Sequence, residues 1–451
     1  MKPSQQILHQ NPGPYFLSLG GAGEIGANFY LYGSGGYWLA IDCGQGFHNP
    51  PAGETLSLIP DPQALKEHGI QLQAVLITHA HEDHIGALPW LADQLNCPIY
   101  ATPFAAGLIE ARLSENPSNQ LTTKIIKPLK QYTFGPFSAE WVPVTHSIPE
   151  AQGIYLQVAG RKIYHTGDWK LDPQPVVGPA TAIARLKDIG QAGLDLVIGD
   201  STNAPNPGHS ESELKVQQTL KSLISPLDKR LLVTCFASNV ARLSSLGEIA
   251  KQTNRQVVLL GRSMERIYAL AKRLGYLDSF PPPIPVRDLG YLPKSEQMIL
   301  CTGSQGEPRA ALARLAQGRH PLLELEAGDQ VIFSSKTIPG NEDAVARLHA
   351  QLQAKNLAII TEHHPPIHAS GHPAQQEIQQ LYTWLKPKHL LAMHGEERHQ
   401  NAHCQLAKSL DINARSAQEG EIYDLSALPR KVAQVTSGKL LLEKGQLKAW
   451  N

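Results

Sequence analysis

Cysteine is scarce: five in 451 residues, at positions 43, 97, 235, 301 and 404. They are scattered, odd in number and form no Cys-x-x-Cys pair. That argues against a disulfide framework and against a thiolate metal site, and it suits reduced thiols in a cytoplasm. No apolar run reaches the roughly 18 residues that span a bilayer, so no membrane partner is expected. Met1 to Pro14 is polar and carries no apolar core of a secretion signal. Charge of either sign is not in excess, with 40 basic and 40 acidic side chains. A nucleic-acid enzyme often carries a basic surplus, but a local groove can be basic on a neutral chain. There is no internal repeat and no low-complexity segment. What remains is an ordinary globular composition, 42% hydrophobic and 18% charged, with length for two or three domains.

What is present in unusual density is histidine. Thr78-His79-Ala80-His81-Glu82-Asp83-His84 places three histidines and an aspartate within six positions. The apolar run Ala74-Val75-Leu76-Ile77 leads in and reads as a buried strand. Ile85-Gly86-Ala87-Leu88-Pro89-Trp90-Leu91-Ala92 leads out and reads as the start of a helix. Imidazole and carboxylate suit borderline metals such as zinc. His79 and His81 can point one way, Asp83 and His84 another, which is enough for two neighbouring metals. A polar surface loop with accidental histidines is the bland alternative. A zincin is excluded, because the His-Glu-x-x-His spacing that puts two imidazoles on one helical face is absent.

Upstream, Gly21, Gly23 and Gly26 imitate a dinucleotide-binding turn, with Asp42 at a plausible distance for a ribose acid. Such a site needs a helix next. Instead Asn28-Phe29-Tyr30-Leu31-Tyr32, a glycine turn and Tyr37-Trp38-Leu39-Ala40-Ile41-Asp42 predict a hairpin. The dinucleotide reading fails, and the glycines allow tight passage of backbone beside a metal cleft. Asp42 is either a turn residue or an acceptor that orients the histidine loop from behind. Lys124, Lys127 and Lys130 are spaced like a basic edge, or equally like a solvated face. His146 follows the strand Val142-Pro143-Val144 and can supply a ligand that the upstream loop lacks. Lys162-Ile163-Tyr164-His165-Thr166-Gly167-Asp168 is a strand ending in a carboxylate able to bridge two cations. His165 reads as structural or as support.

A further buried strand ends at Asp200. Ser210-Glu211-Ser212-Glu213 then resembles a capping box. Beyond it, apolar strands at 231–234, 257–260, 298–301 and 331–333 alternate with helices at 239–252, 264–274, 308–317 and 341–354. That is a parallel α/β unit of its own. Its strands end in Ala237-Ser238-Asn239, Gly261-Arg262-Ser263 and Thr302-Gly303-Ser304-Gln305-Gly306-Glu307. Ligands of open parallel sheets bind at such ends, and hydroxyls, amides and an arginine suit phosphate. The chain then returns to histidines. His363 and His364 beside two prolines read as exposed, whereas His372 and His394 read as functional, with a helix at 373–385 between them.

Together these stretches resemble the β-CASP branch of the metallo-β-lactamase-fold nucleases, and within it the ribonuclease J family. The matches run nearly end to end, through Leu19-Gly20-Gly21, Ile41-Asp42-Cys43-Gly44, Thr78 to Gly86, Thr145-His146-Ser147, Thr166-Gly167-Asp168, Asp200-Ser201-Thr202-Asn203, Phe236 to Asn239, Gly261 to Glu265, Thr302 to Pro308, Ile338 to Glu342, Ser370-Gly371-His372 and His394-Gly395-Glu396. The resemblance implies an αββα metallo-β-lactamase sandwich, α/β in class, carrying an inserted parallel α/β β-CASP domain. The sandwich would take residues 1–204 and 363–451, and the insert 205–362. It implies one metal on His79, His81 and His146, a second on Asp83, His84 and His394, and Asp168 between them. Asp200, His372 and His394 match the three insert motifs. Ala80 stands where glycine is common, at a position that ligates nothing. The family commonly has a further C-terminal domain of roughly a hundred residues. Here the chain stops at Asn451, so oligomers through such a domain are not expected, while a homodimer is compatible.

The chemistry implied is two-metal hydrolysis of a phosphodiester, with Asp83, Asp200 and His372 as catalytic candidates. His372, oriented by Asp200, would assist the phosphate or protonate the leaving oxygen. Zinc is the first expectation for the two divalent ions, with manganese and magnesium as alternatives. Ser238, Asn239, Arg262, Ser263, Ser304, His368, Ser370 and His372 are candidate contacts to single-stranded RNA. Five of them (Ser238, Ser263, Ser304, His368 and Ser370) would form a pocket for the 5′ end. The expected function is 5′→3′ exonucleolytic decay and processing of RNA, preferring a 5′ monophosphate, with internal cleavage as a second activity. Competing readings are a DNA-acting β-CASP nuclease, a small-substrate hydrolase and an inactive RNA-binding scaffold.

Overall fold

The computed structural model describes residues 12–48, 55–115, 119–338, 340–361 and 366–450. His363, His364 and the expected boundary at 362/363 lie outside the described residues.

Two large sheets pack face to face. One has eight strands, in the order Arg430–Gln434, Glu421–Asp424, Tyr15–Gly20, Phe29–Ser34, Tyr37–Ile41, Leu72–Leu76, Ile99–Ala101 and Thr123–Ile125. The other has seven: Asn413–Ser416, His389–Met393, Leu196–Asp200, Arg161–His165, Gln152–Val158, Phe137–Pro143 and Gln131–Phe134. The pairing follows from alternation. Along Tyr15–Gly20, Phe16 faces the second sheet, while Tyr15, Leu17 and Leu19 face the outer helices. Tyr30 and Tyr32 against Phe29 and Leu31 repeat the pattern on the next strand. Both faces of the sheet are therefore buried, and each enclosed Leu, Ile or Phe contributes about 1.5–3 kcal/mol.

Helices Ile183–Gln191, Gln375–Leu385 and Glu397–Lys408 cover the second sheet through Leu186, Ile189, Ile378, Leu381 and Ala407. Helix Pro103–Leu113 covers the first. The result is the αββα sandwich. A third sheet is wholly parallel, ordered Gln256–Leu260, Gln297–Cys301, Leu231–Thr234, Gln330–Phe333 and Ala358–Ile360. A four-stranded sheet of Gln446–Ala449, Lys439–Glu443, Leu56–Pro60 and Gly46–His48 completes the fold. No helix among the described residues is long and apolar enough to cross a membrane.

Three local expectations change. The chain after the histidine loop is not one helix from Ile85. A short helix, Glu82–Ile85, forms inside the loop with His81 as its cap, and a second, Ala92–Leu95, starts beyond Pro89. Pro89 lacks the N–H that a continuous helix needs. The expected capping box at Ser210 is also displaced. Ser212 is the cap of helix Glu213–Ile224, and Glu213 turns inward. Helix Val240–Gln252 uses Asn239 as its cap: the Oδ1 accepts from Arg242 N at 2.9 Å and the Nδ2 donates to Glu213 at 3.0 Å. Asn239 is buried, so its side chain is spent inside the protein and is not free for phosphate.

Candidate metal centre

The histidine loop leaves strand Leu72–Leu76 and is held from below by Asp42. Its carboxylate accepts from Thr78 N, Thr78 Oγ1 and His84 Nδ1, each at 2.8 Å. His79 Nδ1 lies 3.0 Å from Thr78 Oγ1. Those bonds occupy the Nδ1 sides of His79 and His84 and leave their Nε2 atoms facing the cleft. Asp42 takes a left-handed backbone, φ 60°, and Gly44 passes so close that a Cβ there would fall 1.6 Å from the Asp83 carbonyl oxygen. Cys43 N and Gln45 N donate to the carbonyls of His84 and Glu82, so the two loops are laced together.

His146 arrives from the end of strand Phe137–Pro143. Its Nδ1 lies 2.6 Å from the Gly371 carbonyl oxygen, so its Nε2 turns inward. A Cβ on Gly371 would meet the His146 ring at 2.5 Å, which explains glycine between Ser370 and His372. His394 follows strand His389–Met393, again left-handed at φ 48°. Its backbone N donates to the Gly21 carbonyl at 2.7 Å. The glycine-rich turn near residue 21 thus braces a histidine rather than a nucleotide.

Among the described residues the side chains converge as three groups, the third (Asp168, Asp200, His372 and His394) sharing two members with the second. His79 Nε2 and His146 Nε2 each lie 3.1 Å from His81 Nδ1. Three nitrogens around one tetrahedral zinc at 2.0–2.1 Å would stand about 3.3 Å apart, so the spacing fits one cation. In the second group, Asp83, His84, Asp168 and His394 offer ligand atoms all within 4.8 Å of one another. Asp83 Oδ2 is 3.5 Å from both His84 Nε2 and His394 Nε2. Asp168 reaches toward the first two groups, its Oδ2 being 3.2 Å from His84 Nε2 and 3.8 Å from His79 Nε2. Asp168 Oδ1 and His394 Nε2 are buried without any hydrogen-bond partner. Buried orphans of this kind are costly, and a divalent cation held by this group would give them partners.

Electrostatics point the same way. Burial drives His79 and His146 well below the usual imidazole range and His81 down to about 4, so all three are neutral donors. In the second group burial would also lower the histidines, but Asp168 and its neighbours override it, raising His84 and lifting His394 to about 10. His372 Nδ1 sits 2.8 Å from Asp200 Oδ2 and 3.9 Å from Asp168 Oδ2. Its side chain is 21% exposed against 1% for His394, so it faces the cleft. Asp200 Oδ1 is 3.3 Å from His394 Nδ1.

The other candidates distribute along the insert. Ser238, Arg262, Ser263 and Ser304 lie beyond the C-terminal ends of the adjacent parallel strands Leu231–Thr234, Gln256–Leu260 and Gln297–Cys301. Ser304 is buried, and Arg262 and Ser263 are exposed at the start of helix Arg262–Arg273. His368 is largely enclosed with its Nδ1 unpartnered, and burial takes it down to about 3. Ser370 Oγ accepts from Asn203 Nδ2 at 2.7 Å and from His372 N at 3.1 Å. His165 bonds Tyr32 at 2.8 Å behind the centre.

Sequence reasoning missed several supports. Asn28 Nδ2 donates to the Asp83 carbonyl at 2.9 Å, and Thr202 Oγ1 lies 2.8 Å from His394 Nδ1. Both close motifs that were read only as glycine turn or strand end. Glu377, fully buried, accepts from the backbone N of Leu171, Ser210 and Ala374 and from Ser210 Oγ at 2.6–2.9 Å. Nothing in a helical Gln-Gln-Glu announces that.

Comparison with known proteins agrees with this architecture. Family models match the metallo-β-lactamase superfamily over residues 22–234, the ribonuclease J beta-CASP domain over 228–352, and the Zn-dependent metallo-hydrolase RNA specificity domain over 363–417. The ribonuclease J of Sinorhizobium meliloti is 41% identical over 423 residues, 92% of this chain and 75% of that protein. Ribonuclease J 1 of Streptococcus pyogenes is 37% identical, covering 92% and 75%. The Thermus thermophilus ribonuclease J is 35% identical, covering 95% and 77%. A crystal structure of an Enterococcus faecalis protein of unknown function superposes with a TM-score of 0.64 at 16% identity, over 91% of this chain and 99% of that one, and shares the fold. The chain belongs to the ribonuclease J family, metal-dependent ribonucleases with a β-CASP domain inserted in a metallo-β-lactamase domain.

Proposed function

We propose that this protein is a 5′→3′ exoribonuclease acting on single-stranded RNA, with preference for a 5′ monophosphate and a secondary capacity for internal cleavage. The observation that carries the reading is the convergence of two donor groups on one buried carboxylate, Asp168. His79, His81 and His146 would hold one divalent ion, and Asp83, His84 and His394 another. Zinc is the first choice for both ions, since each group offers imidazole nitrogens, with manganese or magnesium as alternatives. When bound, such a pair acidifies water and stabilises charge on the attacking and leaving oxygens of a phosphodiester.

The chain's own residues do the rest. Asp42 fixes the ring orientation of His84. Asp200 holds His372 by Nδ1, leaving Nε2 to carry a proton to the leaving oxygen. Ser238, Ser263, Ser304, His368 and Ser370 form the 5′-phosphate pocket, which is supported by their place at parallel strand ends and on the segment that carries His372. A terminal phosphate held there would set the cut one nucleotide along. We also take residues 205–362 as the insert, since its five strands run from Leu231 to Ile360. A cytoplasmic setting is supported by five buried free thiols.

The test compares one 3′-labelled RNA bearing a 5′ monophosphate or a 5′ triphosphate. The monophosphate end should be digested severalfold faster, with mononucleotide as product. Equal rates would remove the 5′ pocket from the account.

A further inference from the structure

Strand Thr123–Ile125 is the outermost strand of the eight-stranded sheet, and Gln131–Phe134 is outermost in the seven-stranded one. The turn between them crosses from one sheet to the other. Lys124, Lys127 and Lys130 stand on this edge, and all three are exposed. From Asn116 to Ala139 the chain has no Asp or Glu, although the whole sequence balances 40 basic against 40 acidic side chains. Among the described residues none of the three lysines has a carboxylate partner.

They are arranged instead by two tyrosines. The Lys124 ammonium lies 5.4 Å from the Tyr100 ring centroid, and that of Lys130 lies 5.6 Å from the Tyr132 ring. The Tyr132 hydroxyl accepts from Lys127 N at 2.8 Å, and the two rings meet edge to face at 6.4 Å. One aromatic pair therefore holds two of the cations and the backbone of the third along an edge. Such contacts reduce the conformational freedom a lysine loses when it meets a ligand.

The edge opens on the same rim as the metal centre. Strands Tyr37–Ile41, Leu72–Leu76, Ile99–Ala101 and Thr123–Ile125 are mutually parallel neighbours. Asp42, the histidine loop and Lys127 thus follow their C-terminal ends on one side of the sheet. Two strand spacings, about 10 Å, separate Leu72–Leu76 from Thr123–Ile125. Leu129 N donates to the Trp141 carbonyl, and Trp141 Nε1 to the carbonyl of Ile77, the residue before Thr78.

We propose that the Lys124–Lys127–Lys130 edge is a phosphate track for single-stranded RNA on the 3′ side of the cut. This rests on the exonuclease reading: with the 5′ end held in its pocket, the long free strand lies downstream. Cations without carboxylate partners beside the cleft raise the local potential for a polyanion. The tyrosine faces are taken by lysines, so the track binds backbone and ignores base identity.

The test is the triple variant K124Q/K127Q/K130Q, beside a triple Lys→Arg variant. The substrates are 5′-monophosphorylated RNAs of about 4 and about 25 nucleotides, assayed over a salt series. Each single-strand phosphate contact contributes about 0.7 to the slope of log affinity against log salt, so the slope for long RNA should fall by about 2. The long-RNA KM should rise about tenfold at physiological salt, with kcat unchanged. The short RNA should be unaffected, and the arginine variant should behave as wild type. An unchanged slope and KM on long RNA overturns the track while leaving the nuclease intact. Equal losses on short and long RNA overturn it as well, because the lysines would then act at the centre. A wild-type protein that cuts neither RNA overturns the exonuclease reading itself, and the track with it.

Discussion

Arg242 and Glu213 form a fully enclosed ion pair, Nη2 to Oε2 3.0 Å, between two helices of the insert. The same guanidinium donates through Nη1 to the carbonyls of Ser334 at 2.8 Å and Ile367 at 2.9 Å. Glu213 N in turn donates to Asp172 Oδ2 of the sandwich at 3.1 Å. One pair therefore ties the entry of the insert, its sheet and the segment returning toward His372.

Breaking that pair should be costly. Arg242→Met leaves Glu213 buried and uncompensated, which predicts a loss of about 3–5 kcal/mol in urea unfolding. Arg242→Met with Glu213→Leu should recover much of it, since neither member of the pair is then left buried without the other. A double variant no better than the single would place the stability in the carbonyl contacts instead.

Asp42 supports the ligands without reaching the cleft. Asp42→Asn should weaken metal affinity 10- to 100-fold in a chelator competition, as loss of an outer hydrogen bond to a ligating histidine does. Affinity equal to wild type would show that Thr78 suffices to orient the ring.

His372 is assigned to proton transfer, not to a metal. His372→Ala should lower kcat by about 10²–10⁴ while both ions stay bound. Loss of an ion on elemental analysis would make it a ligand, consistent with its closeness to Asp168 and His394.

A pH effect belongs to the far side of the glycine turn. Lys439 Nζ lies 2.6 Å from Glu24 Oε1 and also pairs with Glu419. Burial, then the neighbouring Glu24, pushes the Glu419 carboxyl up to about 8. A carboxyl raised on folding stabilises fully below its unfolded value, about 4.3, and that contribution fades as pH rises toward 8. Glu419→Gln should therefore show a smaller drop in Tm between pH 6 and pH 9 than wild type. Parallel curves for the two proteins would mean that Glu419 is already ionised at pH 6.

Much of this was legible in the chain because chemistry was concentrated in short motifs. His79 to His84 announced a metal loop, and the strand-loop-helix rhythm from Leu231 announced the parallel insert. Residues that act through distant partners were not legible. Asn239 was read as a phosphate contact because it sits at a strand end, but it caps the helix it begins. Glu213 was read as part of a capping box, yet its partner is 29 residues away. Glu377 gathers three segments that only the folded chain brings together. The helix expected from Ile85 is interrupted at Pro89, a break that the apolar run around it masks in the sequence.

The most direct test of the central claim is a metal titration of the stripped protein with Mn²⁺ or Zn²⁺, following bound ion per chain and RNA cleavage together. The account predicts two ions per chain, cleavage rising with the second, and disruption of both sites in Asp168→Ala. Full activity with one ion bound, or two ions retained by Asp168→Ala, would contradict it.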